Sequence, residues 1–372
     1  MTTATLPITW RFACLIVGLT LSSTACRTPA PSAEAPSSNT PPERTSAAGS
    51  DLEKTGAQPA TLESKLKELA LAGPVTNPDS EISGMAWFGQ HLILLPQYPR
   101  MVQDEGDGAL LAIPRAELEE AIAADAPSPI TPRLIPLKAP GLRDGVPGFQ
   151  GYEAIHFDGT RLFVTIEAEP ETDLMVGYLL EGEIADDLSG VAFNPTGRQT
   201  LAAQSSAGNM CYEAMTRAGD TLLTFYEANS ARINERPRVL RFDDSLQPMK
   251  DAPMAPIEYR VTDATTVDDA GRFWVINYYW PGNEALKAPD EPLAARFGKG
   301  LTHASNPQVE RLVELQIDAE SGAVAFTDTP PVQLELTPDN ANNWEGLVRM
   351  GERGFLVITD KFPGTRLIYV ER

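Results

Sequence analysis

The chain has 372 residues, 42% of them hydrophobic and 22% charged, with 51 acidic side chains against 30 Lys and Arg. A formal charge of −21 argues against nucleic acid as a partner, and against an anionic lipid surface held by basic side chains. Of the three cysteines, Cys14, Cys26 and Cys211, only Cys211 falls inside the foldable part, so no disulfide closes there and Cys211 reads as a small buried hydrophobe.

In chain order, the first feature is the apolar run Phe12 to Leu21 behind Arg11. It is too short to span a bilayer and reads as the core of a signal peptide covering residues 1–25. It ends at Ser23-Thr24-Ala25-Cys26. The small residues suit a cleavage site, and a Cys at the first mature position resembles a bacterial lipoprotein box. Cys26 is then the lipidation site, with plain secretion as the alternative. Arg27 stands where an Asp would resemble an inner-membrane retention signal. The resemblance therefore implies outer-membrane anchoring, facing the periplasm or the cell surface. Residues 27 to 60 carry six prolines among Ala, Ser, Thr and Glu and few large apolar residues. Such a segment buries too little surface to fold and reads, with Cys26, as a tether reaching roughly 100 Å. Residues 61–372 remain as one large domain.

That domain repeats a short phrase five times. The copies begin Ser83-Gly84-Met85, Glu153-Ala154-Ile155, Glu213-Ala214-Met215, Asp263-Ala264-Thr265 and Glu345-Gly346-Leu347. An apolar run starts nine or ten residues after each head, at Leu92, Leu162, Leu222, Phe273 and Phe355. Most other segments are also strand-like, Val-, Ile-, Leu- and aromatic-rich between Gly, Pro, Asn and Asp turns. Only Ala116 to Ala124, behind Pro114, has the look of a helix, inserted in the first repeat. Each repeat extends to four strands. The second continues through Met175–Leu180 and Gly190–Phe193, the third through Val239–Phe242 and Pro256–Tyr259, and the fourth through Leu312–Ile317 and Val332–Leu336. The last is one strand short, and a spare segment, Glu68 to Val75, lies ahead of the first. The expected fold is therefore all-β: a five-bladed β-propeller whose last blade is closed by an N-terminal strand, with six blades as the alternative.

In a propeller the first strand of each blade lines the axis, so Ser83, Glu153, Glu213, Asp263 and Glu345 are expected around one channel mouth. The ends of the second strands, Gln97, Glu167, Glu227, Asn277 and Asp360, point to the same face. Two carboxylates 4 Å apart repel by about 4 kcal/mol at an effective dielectric near 20. Such a ring must share protons, admit water or bind a cation, and hard oxygen donors without His or Cys suit Ca²⁺. Alternatively, each Glu caps backbone amides between blades. Arg100, Arg232, Lys361 and Arg366 are basic groups expected on this face, able to hold a phosphate or carboxylate. Trp280-Pro281 opens a long connection to Gln308, the length of a lid, in which Tyr278, Tyr279 and Trp280 are placed to stack on a ligand or to pack the loop. His156, on a first strand, reads as a core residue. The chain has no Gly-x-Ser-x-Gly elbow, P-loop or His-Glu-x-x-His.

The head phrases resemble those of the five-bladed calcium-activated nucleotidases (apyrases), whose equivalent side chains hold a central calcium. The resemblance implies Ser83, Glu153, Glu213, Asp263 and Glu345 as Ca²⁺ ligands, with Gly84 where that family tends to carry an acid. Asn343-Trp344-Glu345-Gly346-Leu347, Thr359-Asp360 and Glu81-Ile82-Ser83-Gly84-Met85 resemble the bacterial phytase-like esterase group. Two functions are open. One is a Ca²⁺-binding envelope lipoprotein, monomeric, that presents Gln97, Arg100, Glu167, Glu227, Asn277, Trp280, Asp360, Lys361 and Arg366 to a small anionic ligand or an envelope protein. The other is a metal-dependent phosphoester or ester hydrolase. No catalytic residue is assigned.

Overall fold

The computed structural model describes residues 63–172, 174–337 and 341–372. The signal, Cys26 and the tether lie outside the described residues.

The second strands explain the architecture. They are His91–Pro96, Arg161–Glu171, Thr221–Tyr226, Arg272–Tyr279 and Gly354–Thr359. Each carries a continuous apolar run because both of its faces are covered. In the first, Ile93 and Leu95 join one buried cluster while Leu92 and Leu94 join another. In the fourth, Phe273 and Val275 pack one way and Trp274 and Ile276 the other. The clusters fall between successive blades, and Leu356 and Ile358 of the last blade meet Leu92 and Leu94 of the first. That contact shuts the ring.

The chain is a five-bladed β-propeller. Blade 1 is Ile82–Phe88, His91–Pro96, Ala109–Pro114 and Arg133–Lys138. Blade 2 is Phe149–Asp158, Arg161–Glu171, Leu174–Ile184 and Val191–Phe193, with Gln199–Ala202 added against its third strand. Blade 3 is Tyr212–Ala218, Thr221–Tyr226, Arg238–Phe242 and Ala252–Pro253. Blade 4 is Arg260–Ala264, Arg272–Tyr279, Val309–Ile317 and Val332–Leu334, extended by a parallel pairing of Glu63–Ser64. Blade 5 is Trp344–Arg349, Gly354–Thr359 and Leu367–Glu371. Its fourth strand comes from the other end of the chain: Leu66–Leu69 pairs antiparallel with Leu367–Glu371. The first strands contact one another in ring order, blade 1 to 2, 3, 4, 5 and back to 1.

Three boundaries differ from the sequence reading. The closing strand ends at Leu69, and Gly73–Thr76 is a 3₁₀ turn, since Pro74 cannot donate to a ladder. The fourth strand of blade 3 is Ala252–Pro253, because the backbone of Ala255 is claimed by Val324 of blade 4 and that of Ile257 by Asn229. The long connection after Trp280 holds two short helical turns, Glu284–Leu286 and Pro292–Phe297. Glu291 caps the second turn and also receives both terminal nitrogens of buried Arg311, at 2.9 Å each, so this loop is pinned to blade 4. The helix Arg115–Ala123 lies where expected.

Leu69 is 1% exposed and joins the cluster between blades 5 and 1. Leu69→Ala should lower the unfolding free energy by about 2–5 kcal/mol, read from the denaturant midpoint. A loss under about 0.5 kcal/mol, within the range of ordinary surface substitutions, would show that the closing strand contributes nothing.

Candidate functional site at the channel mouth

Every first strand contains a one-residue bulge at its head phrase. Ile82 pairs with Pro96 but Gly84 pairs with Leu95, leaving Ser83 extra. Glu213 is the extra residue between Tyr212 and Ala214, and Glu345 the one between Trp344 and Gly346. In blade 2 the shift lies between Tyr152 and Ile155, and in blade 4 between Val261 and Ala264. A bulge turns a side chain off the alternating pattern of the strand. Here it frees the head from both inter-blade cores and sets it on the axis.

The register identifies Thr262, which directly follows paired Val261, as the head of blade 4. Its Oγ1 donates to the carbonyl of Trp344 at 2.6 Å, as Ser83 Oγ donates to the carbonyl of Tyr152 at 2.6 Å. Asp263 stands one residue further along. Its carboxylate accepts the amides of Ala264 at 2.7 Å and Leu347 at 2.6 Å. Asp263 thus caps backbone where blades 4 and 5 meet, one of the two roles open to the heads. A Cβ on Gly84 would lie 2.9 Å from the carbonyl of Glu153, so no acid fits there.

The second ring follows the same correction. Gln97, Glu227 and Asp360 bond through their amides to the carbonyls of Glu81, Cys211 and Asn343, while Glu167 pairs with Gly151 and Tyr278 with Arg260. Tyr278 therefore holds this position in blade 4. Asn277 points elsewhere, donating to the carbonyls of Glu258 and Arg260 and accepting Arg311 Nε at 2.8 Å. Gln97 Nε2 donates to Glu153 Oε1 at 2.8 Å. Tyr278 Oη reaches Glu345 Oε1 at 3.2 Å and also Asn343.

The sequence reading missed the cation of this site. Arg260 sits two residues before head Thr262, where Glu81, Gly151, Cys211 and Asn343 stand in the other blades. Its guanidinium pairs with fully buried Glu227. Burial works against its charge, but Glu227, Glu213 and Glu345 around it hold its pKa above the usual value. With Asp263 taken as head, Arg260 falls out of register with its counterparts, which is why the repeat did not reveal it.

The carboxyls divide the remaining charge. Burial raises Glu227 above the ordinary carboxylate range, with the Arg260 guanidinium pulling the other way. Burial, then Glu227 and Glu345, push Glu213 well above the ordinary range. Burial and Glu167 do the same to Glu153, and burial and Asp360 to Glu345. Burial raises Asp360 as well, although it accepts the amide of Phe362 at 3.0 Å. Glu167 Oε1, Glu213 Oε2 and Glu227 Oε2 are buried with no hydrogen-bond partner. Among the described residues, no three His, Cys, Asp or Glu side chains are grouped so as to hold a metal ion.

The rim residues are divided between structural pairs and free surface. Lys361 pairs with Glu81 at 2.8 Å and lies 3.8 Å from Asp79. Arg366 binds Glu68 of the closing strand at 2.8 Å and Asn342 at 2.9 Å. Arg100 binds Asp104 at 2.8 Å, and Arg232 donates to the carbonyl of Lys287. Tyr278 and Tyr279 are buried, the latter against Tyr259, while Trp280 is 55% exposed. His156 is buried lower in the channel, its pKa pulled to about 4 by burial and Arg217. Exposed apolar side chains gather on this face. Met101, Trp280, Leu301 and Phe362 lie in second-to-third-strand connections and Leu174 opens the third strand of blade 2, and among the described large hydrophobics only Met249 is exposed elsewhere.

No protein-family model matches the chain, and no curated protein matches it. Solved structures align over most of it at low similarity. A bifunctional GH43-CE protein from Bacteroides eggerthii is 10% identical over 82% of this chain and 34% of its own, at a TM-score of 0.43. The native arabinanase of Bacillus subtilis is 11% identical over 82% and 95%, at 0.42. A soluble aldose sugar dehydrogenase from Escherichia coli is 12% identical over 82% and 99%, at 0.41. The chain spans only about a third of the first of these. At such values no residue and no activity is carried across.

Burial, then the Glu227 charge, raise Glu167 from 4.5 to about 7. Between those values the folded chain keeps a proton that the unfolded chain has released. Stability should therefore fall as pH rises from about 4.5 to about 7, by on the order of 3 kcal/mol for this group. Denaturant midpoints taken across that range without added Ca²⁺ should fall, and Glu167→Gln should flatten the slope. A midpoint that rises with pH, or a slope unmoved by the variant, contradicts the assignment.

Proposed function

We propose that the protein is an exported, lipid-anchored hydrolase that cleaves small phosphoester or ester substrates at this mouth, with Ca²⁺ as cofactor. The observation that carries the reading is the set of partnerless buried oxygens, Glu167 Oε1, Glu213 Oε2 and Glu227 Oε2. A buried polar atom left unpaired costs about 1–3 kcal/mol, more when charged. These three axial oxygens are open to a ligand that would draw the carboxylates together, since they are not grouped to hold a metal ion as they stand. Glu153, Glu345 and Ser83 stand around the same axis as further hard oxygen donors, and such a set suits Ca²⁺ over zinc or copper. When bound, the cation supplies polarisation of an ester oxygen and a water that ionises more readily.

The chain's own groups set the conditions. Arg260 pairs with Glu227, Gln97 orients Glu153 and Tyr278 orients Glu345. The resemblance of the head phrases to calcium-activated nucleotidases and phytase-like esterases points to the same class. A second reading is favoured by burial: none of the heads Glu153, Glu213 and Glu345 is more than 8% exposed. In that reading the ion only staples the ring, and the face above it binds a small anion or an envelope protein.

Calorimetry separates these readings. Ca²⁺ should raise the melting temperature relative to chelated protein, and Glu213→Gln should remove most of the shift. Wild type with Ca²⁺ should turn over at least one of a nucleotide, phytate or simple-ester panel. A Ca²⁺ shift without turnover leaves the binding reading, whereas no shift at all sinks the ion. Export rests on residues 11–26, and mass spectrometry of the mature protein should find Cys26 N-terminal and acylated. A free or internal Cys26 rejects the anchor.

A further inference from the structure

We infer that the cavity between blades 1 and 2 is a recognition pocket for an anion with an apolar body, of the aryl phosphate class, and that Arg143 anchors the anion. The inference rests on the hydrolase reading for turnover only; binding stands apart from it. The cavity measures about 400 Å³, within the range of small-molecule sites. Its apolar walls are Tyr98, Pro99, Met101, Phe149 and Tyr152. Phe149 and Tyr152 meet edge to face at 5.4 Å, which fixes one wall. Gly108, at φ 93°, lets the opposite wall close, since a Cβ there would lie 2.2 Å from Pro99.

The charges lining the cavity are mostly taken. Arg100 is bound by Asp104, Asp107 accepts the amide of Ala139 at 2.7 Å, and Glu81 and Asp79 share Lys361. Two lining charges have no ion pair among the described residues, Arg143 and, next to it on the same turn, Asp144. Arg143 lies on the short turn Leu142–Gly145, held from below by buried Leu142 and Val146. A guanidinium on this turn beside aromatic walls matches a phosphate joined to an apolar ring. Exposed Met101 extends the apolar wall toward solvent. The pocket also backs onto the axial carboxyls. Tyr98 follows Gln97, which holds Glu153, and the carbonyl of Tyr152 accepts Ser83 Oγ. A ligand seated here presents its ester to the mouth.

The test is calorimetric titration of the full chain with phenyl phosphate, inorganic phosphate and phenol, in chelator. Phenyl phosphate should bind at least about tenfold more tightly than either fragment. Arg143→Gln should weaken it about ten- to hundredfold, the worth of a charge-assisted contact, and Phe149→Ala should reduce the preference over inorganic phosphate. Arg143 is exposed, so its variant keeps the fold. Equal binding of the fragments, or phenyl phosphate binding unmoved by Arg143→Gln, overturns the inference. Binding through Arg143 without turnover under Ca²⁺ sinks the hydrolase reading alone. Turnover whose KM is unmoved by Arg143→Gln sinks the pocket alone.

Discussion

The one-residue bulge repeated in all five first strands is the constraint on which the site depends. A regular strand alternates its side chains between two faces, and both faces here are inter-blade cores. A polar residue on such a strand has nowhere to go except into apolar packing. The bulge supplies a third direction, toward the axis. It is what places Ser83, Glu153, Glu213, Thr262 and Glu345 around one mouth while Ile155, Met215 and Leu347, a residue or two later, return to the cores.

Gathering acids this way creates a charge problem, and the fold meets it by several means at once. Arg260 places a permanent cation against Glu227, burial raises Glu213 so that it takes up a proton more readily, and Asp263 is spent on backbone amides at the seam of blades 4 and 5. Gln97 and Tyr278 give Glu153 and Glu345 neutral partners. What is left over is three oxygens on blades 2 and 3. The leftover is asymmetric because blades 1 and 4 head their strands with hydroxyls, which bond carbonyls of the next blade and need no counter-charge. The cavity flanking the mouth opens between blades 1 and 2. It is walled by the second-to-third-strand loop of blade 1 and the connection entering blade 2, so the polar axis and the apolar rim meet there.

Much of this was legible because propeller packing writes itself into local sequence. Runs such as Leu92–Leu95 and Phe355–Ile358 are apolar at every position since each successive side chain feeds a different core. The missing strand after Arg366–Val370 announced its replacement upstream of the first blade. Errors arose where local pattern and register part. Asp263 looked like a head because an acid followed by Ala is the commonest form of the phrase. Only the pairing of Val261 with Asn277 shows that Thr262 holds the place. The same slip displaced Tyr278 by Asn277 and hid Arg260. Pro256–Tyr259 had strand composition, but its neighbours' hydrogen bonds go to Val324 and Asn229, a competition no local pattern records.

Sequence alone was enough for the all-β class, a propeller of five or six blades, its N-terminal closure and the collection of acidic heads at one face, because these follow from periodicities of two residues and of one blade; the strand pairing fixes the count at five. The tertiary structure decided which charge neutralises which. Arg260 is separated from Glu227 along the chain and joined to it only by the contact of blade 3 with blade 4. It also decided that Arg366 serves the closing strand, that Arg143 stands unpaired at a cavity, and that three axial carboxylate oxygens lack partners. Electrostatic neutrality in a buried ring is a property of distances between blades, and distances between blades exist only once the ring has closed.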